Sequence, residues 1–126
     1  MKNTVLSIAL FVVLFICLFF TNKNLISTCT KVATKCEEIE ILLNTKETDE
    51  AYKESIDLLR FMEKEGSTTS MYVNHVDYDS LINESLRLCL YIKENNESDA
   101  LASLHVLRYG VRNMKDIQKP NLKNLL

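Results

Sequence analysis

The chain has 126 residues, of which 47% are hydrophobic and 25% charged, with a formal net charge of -2. That is room for one small domain. Lys2 is the only charged side chain before residue 22, so the remainder carries 14 basic against 17 acidic groups, and this balance excludes a nucleic-acid partner that would need a clustered positive surface.

The first element is the uncharged run "TVLSIALFVVLFICLFF", Thr4 to Phe20. It predicts an N-terminal transmembrane helix in contact with membrane lipid through residues 4–20, because a bilayer core asks for about 20 apolar residues with a lower limit near 17. A cleaved signal peptide is the alternative, but the run ends in "FFTNKN" without the small residues a peptidase wants. An uncleaved anchor preceded by three residues predicts a single-pass protein of the cell membrane, its C-terminal domain outside the cytoplasm. The expected division is therefore an anchor over 1–21, a helical bundle over 22–117 and an irregular tail over 118–126.

After the run, Leu25, Cys29, Val32, Cys36, Ile39 and Leu43 recur at intervals of four and three, a helical seam that is able to continue directly from the anchor. "NTKETDE" interrupts it, with Thr45 and Thr48 as caps. A second helix is expected with Tyr52, Ile56, Leu59 and Met62 inward, ending at Gly66 as a C-terminal cap. A third seam runs through Met71, His75, Tyr78, Ile82, Ser85, Cys89 and Ile92. "ENNES" then supplies Asn96 or Ser98 as a cap, and Ala100, Leu104, Leu107, Val111 and Met114 make a fourth seam. The fold class that follows is all-α, a transmembrane helix and then a small antiparallel bundle of three to four helices. Pro120 stops simple helical continuation into the tail.

Three of the four cysteines fall after the anchor, an odd number that argues against a disulfide framework. Cys29 and Cys36 lie about 10 Å apart along one helix, too far to bridge, so packing is the role read for them.

The densest polar cluster is "VNHVDYDSL", with His75, Asp77 and Asp79. Two registers account for it. In one, Asn74 caps a helix whose first residue is His75 and whose third, Asp77, reaches back to the cap. In the other the helix starts near Ser70, His75 joins the seam, and Asp79 one turn later fixes its tautomer or pairs with its charged form. A metal reading would have to join His75, Asp79 and His105, yet neither histidine has the Glu-x-x-His spacing of carboxylate-bridged bundles. No nucleophile elbow or phosphate loop is present. The reading is thus no catalytic, cofactor-binding or metal residue, with His75, Asp77 and Asp79 as a structural or functional polar cluster.

"NHVDYDSLINESLRL", "SDALASLHVLRYGV" and the ending "LKNLL", together with the apolar N-terminus, resemble an uncharacterised domain-of-unknown-function family of short membrane-anchored helical proteins from clostridial and related spore-forming bacteria. The chain departs from that pattern in having no tryptophan. The resemblance implies a location and a shape but no activity. Two functions remain: an extracytoplasmic interaction or accessory module that is not an enzyme and has a membrane or envelope protein as partner, or a ligand- or ion-sensing bundle acting through a partner membrane protein. The oligomeric state is not fixed by the sequence.

Overall fold

The computed structural model describes the backbone of residues 1–69 and 75–118, and the side chains of residues 1–17, 20, 25–66 and 77–116. Among the described residues there are four helices, α1 (Lys2–Asn44), α2 (Thr48–Thr69), α3 (His75–Lys93) and α4 (Glu97–Gln118). Each packs against its neighbours in chain order and α4 closes the ring on α1, which is the up-down-up-down arrangement that short connections impose.

Two of the expected seams are buried throughout. Leu25, Cys29, Val32, Cys36, Ile39 and Leu43 of α1 and Ala100, Leu104, Leu107, Val111 and Met114 of α4 all lie in the core. The α2 face is rotated from expectation. Ala51, Ser55, Leu58 and Met62 point inward, while Tyr52, Ile56 and Leu59 are only half-buried. Small residues at two of the four inward positions allow the helices to approach closely, and the larger side chains beside them fill the flank. In α3, Tyr78, Ser85, Cys89 and Ile92 are buried as expected, joined by Leu81 and Leu88, while Ile82 is half-buried.

Gly66 does not end α2, which continues through Thr69, and neither glycine has a positive φ. Its role is a close approach. A Cβ at residue 66 would lie 2.8 Å from Cε1 of Tyr78, whose hydroxyl donates to the Met62 carbonyl at 2.8 Å.

The two hairpins repeat one geometry. Lys46 (φ 63°) and Asn95 (φ 59°), 49 positions apart, both take the left-handed conformation. At the first turn Lys46 N–H donates to Leu43 O at 3.2 Å and Glu47 N–H to Leu42 O at 2.9 Å; at the second Asn95 N–H donates to Ile92 O at 3.0 Å and Asn96 N–H to Tyr91 O at 2.9 Å. Both are Schellman closures. The same shift of 49 carries Cys29, Val32, Cys36, Ile39 and Leu43 onto Tyr78, Leu81, Ser85, Leu88 and Ile92, and Ala51, Ser55, Leu58 and Met62 onto Ala100, Leu104, Leu107 and Val111, every one buried. Only the alanines and Leu58 with Leu107 are identical across these pairs, so the match is in burial pattern and turn chemistry. Asn96 caps α4, its Oδ1 accepting from Asp99 N–H at 3.3 Å while its amide donates to Asp99 Oδ2 at 2.7 Å. Thr45 instead serves the end of α1, donating to Ile41 O at 3.0 Å.

The expected transmembrane helix is overturned. Among the described residues no helix is long and apolar enough to cross a membrane. Thr4 to Phe20 is 17 residues, about 26 Å at 1.5 Å per residue against roughly 30 Å of hydrocarbon, which puts the run at the lower limit for a span. α1 then runs on without a break into the core of the bundle. The position of the tail over 119–126 lies outside the described residues.

Candidate functional site

The cluster that stood out in the sequence opens α3. Asp77 and Asp79 are both exposed and flank the buried Tyr78. The period of the helix turns the two acids outward and the ring between them inward. The side chain of His75 and residues 70–74, on which the choice between the two registers rests, lie outside the described residues. His105 is exposed on α4, and among the described residues no three His, Cys, Asp or Glu side chains converge as metal ligands. The residue of this cluster with a definite structural task is Tyr78, not singled out for it by sequence. Burial pushes its phenol well above the ordinary tyrosine range, keeping the hydroxyl protonated as the donor to Met62 O.

The interior is rich in small polar groups. Ser55 donates to Tyr52 O at 2.6 Å and Ser103 to Glu84 Oε1 at 2.8 Å. Ser85, fully buried, has no hydrogen-bond partner for its Oγ among the described residues. None of the four cysteines forms a disulfide, and Cys29, Cys36 and Cys89 are buried. Burial pushes Cys29 up to about 11 and Cys36 up to about 12 from an ordinary 9.0, and raises Cys89. Such thiols are poor nucleophiles.

Charged contacts concentrate between α1 and α4. Arg108 donates to Glu40 Oε2 at 2.7 Å and lies 3.5 Å from Glu37 Oε1. Arg108 and Glu37 also line a groove that runs toward the apolar end of α1 past Thr34, Thr30, Arg112 and Lys115. At the opposite end of the bundle, Lys46 pairs with Glu97 at 2.6 Å across the two turns.

The largest exposed apolar surface among the described residues is the first part of α1. Val5, Leu6, Ile8, Leu10, Phe11, Val12, Val13, Leu14, Phe15, Ile16 and Phe20 are exposed, from 49% at Val12 to 68% at Phe11. Successive residues are all exposed, so the helix is apolar around its whole circumference.

Residues 19–125 match the family model of a domain of unknown function, DUF4363. The chain belongs to the DUF4363 family. No function is assigned to DUF4363, and the match spans the core part of α1, the other three helices and the tail. No curated protein and no solved structure matches the chain.

Proposed function

We propose that this DUF4363 chain is a non-catalytic interaction module held at a cell membrane by its apolar N-terminal stalk, with the bundle presented to an envelope or membrane protein. The observation that carries the reading is the stalk. A helix apolar on every side has to be buried, and an exposed apolar surface of this size marks a lipid or protein contact. Lipid surrounds a helix equally on all sides, whereas a single protein face would cover one stripe. The packed interior and raised thiols favour presentation over catalysis.

The test is flotation of the full chain with neutral phosphatidylcholine vesicles, beside a variant carrying Leu10→Asp and Phe15→Asp. Each charge in hydrocarbon costs about 2.5–3.5 kcal/mol on insertion scales, so the parent should float and the variant remain below. A parent that stays in the aqueous fraction without lipid overturns the reading. Crosslinking in intact cells then identifies the protein on the bundle, and recovery of the chain alone would remove the partner from the proposal.

A further inference from the structure

We propose that the outer face between α2 and α3 docks a second copy of this chain, giving a two-fold dimer in which α2 of each copy packs on α3 of the other. Glu54 and Phe61 of α2 turn to α1, where they meet Lys35 and Lys31. The opposite edge of α2, with Tyr52, Ile56 and Leu59, therefore turns toward α3. In α3 the edge toward α4 carries Leu81 and Glu84, which lie against Gly110 and Ser103, and the other edge carries Leu86 and Leu90. Tyr52, Ile56 and Leu59 are half-buried, whereas Leu86 and Leu90 are 47% and 49% exposed, the only exposed leucines among the described residues of the bundle. The other exposed large apolar side chains of the bundle, Ile41, Val106 and Tyr109, belong to α1 and α4. The apolar centre of this face is thus built by both helices, and it stands whether or not lipid holds the stalk.

The levels of the side chains match those of a second copy. Ser55 and Cys89 share a side-chain hydrogen bond and Gly66 lies against Tyr78, which fixes the register of α2 on α3. In that register Ile56 stands between Leu86 and Leu90 along the bundle axis. A two-fold axis parallel to the helices keeps every level, so Ile56 of one copy enters the gap between Leu86 and Leu90 of the other, a knob in a hole. The same axis sorts the charged rim. Near the turns, Asp49 comes level with Lys93 of the second copy, and Lys53 lies within a turn of its Glu94. At the other end Arg60 and Glu63 face Asn83 and Asp79, so one cation offsets two acids there. All of these charged side chains are exposed. An axis perpendicular to the helices would set Asp49 on Glu63, Lys53 on Arg60 and Glu94 on Asp79, like against like, which is unfavourable. Arg87 is turned away to Glu84, and Asp57 and Lys64 follow Glu54 and Phe61 round to the α1 side. Three cations against four acids leave the rim nearly neutral, which suits a self-complementary contact better than a strongly charged partner. Two helices about 10 Å wide and the 19 residues of α3 give a face of about 20 by 28 Å, roughly 1,100 Å² over both copies, the size of a specific contact. Both stalks then leave the dimer at the same end, and the flank between α1 and α4 stays open to a further protein.

Sedimentation equilibrium of the full chain in mild detergent tests the pairing. The parent should be a dimer. A variant carrying Leu86→Lys and Leu90→Lys should dissociate at least about 100-fold more readily, because two charges are forced into an apolar contact. Both positions are exposed, so its circular dichroism melt should stay within a few degrees of the parent. Crosslinking reads the geometry without disturbing the leucines. In a Cys17→Ser background, a short bis-maleimide should join two copies through Lys93→Cys and not through Ala102→Cys, an exposed position on α4. A monomeric parent, a dimer unchanged by the two lysines, or joining at 102 and not at 93 overturns the face. Loss of the dimer in the Leu10→Asp, Phe15→Asp variant assigns association to the stalk and overturns it too. Capture of a different protein by residue 93 in intact cells, without the chain itself, overturns the second copy as occupant. Failure of the parent to float with neutral vesicles is the separate outcome that overturns the stalk and leaves this face standing.

Discussion

Replacing Gly66 by alanine should destabilise the bundle, although alanine is the better helix former by about 1 kcal/mol. The new methyl would sit 2.8 Å from Tyr78 Cε1 and 3.4 Å from Ile82 Cδ1. The tyrosine cannot simply swing away, because its ring is 3% exposed and its hydroxyl is held to Met62 O. Overpacking of this kind costs about 1–3 kcal/mol, and moving the ring far enough to lose its hydrogen bond adds about 0.5–1.5 kcal/mol. The net expectation is a loss of about 1–3 kcal/mol, or several degrees in Tm for a domain of this size. Thermal melts of the full chain in mild detergent would measure it, followed by circular dichroism. The decisive arm is Gly66→Ala in a Tyr78→Leu background, where the ring is absent and the propensity gain should appear as stabilisation. Stabilisation by Gly66→Ala in the parent, or an equal effect in both backgrounds, would refute the close approach as the reason for glycine.

Ser85→Ala should leave stability unchanged or raise it by about 1 kcal/mol, since it removes a buried hydroxyl without a partner and improves helix propensity; a clear loss in a denaturant titration would show that the hydroxyl is bonded. The buried thiols should couple stability to alkaline pH. Cys29 and Cys36 have folded-state values above their ordinary 9.0, so their contribution is complete below about pH 9 and is lost as pH rises through about 11 to 12. Urea midpoints at pH 8 and pH 10.5 should fall in the parent and fall less in a Cys29→Ala, Cys36→Ala variant, and equal falls would contradict the assignment.

How far the sequence was legible varied by helix. In α1 and α4 the inward positions are also the apolar ones, so spacing alone located them. In α2 they are not. Ala51 and Ser55 carry little hydropathy, Tyr52, Ile56 and Leu59 carry much, and pattern reading follows the larger residues by one position to the flank. Gly66 looked like a terminator because its local preference says so, while its cause lies on another helix, in the ring of Tyr78. In the opening cluster, the polar side chains drew the eye and the aromatic between them is what holds α3 to α2. The apolar run was plain from composition, but its 17 residues stand at the lower limit for a span, where composition alone decides nothing. The 49-residue recurrence was invisible because it preserves burial and turn geometry with almost no shared residue identity.

The continuity of α1 makes the stalk and the bundle one shaft with a fixed phase. Each residue adds about 100° of rotation and 1.5 Å of rise, and residues 21–24 join the two parts without leaving the helix. Whatever azimuth the bundle presents is therefore geared to the stalk through those four positions. Inserting one residue there would swing the α1–α4 groove by more than a quarter turn while lifting it very little. Inserting seven would return it to nearly the original bearing, about 10 Å higher. Spacer length between Phe20 and Leu25 is thus an angular setting more than a distance, and a helix that enters the core from outside is also what aims it.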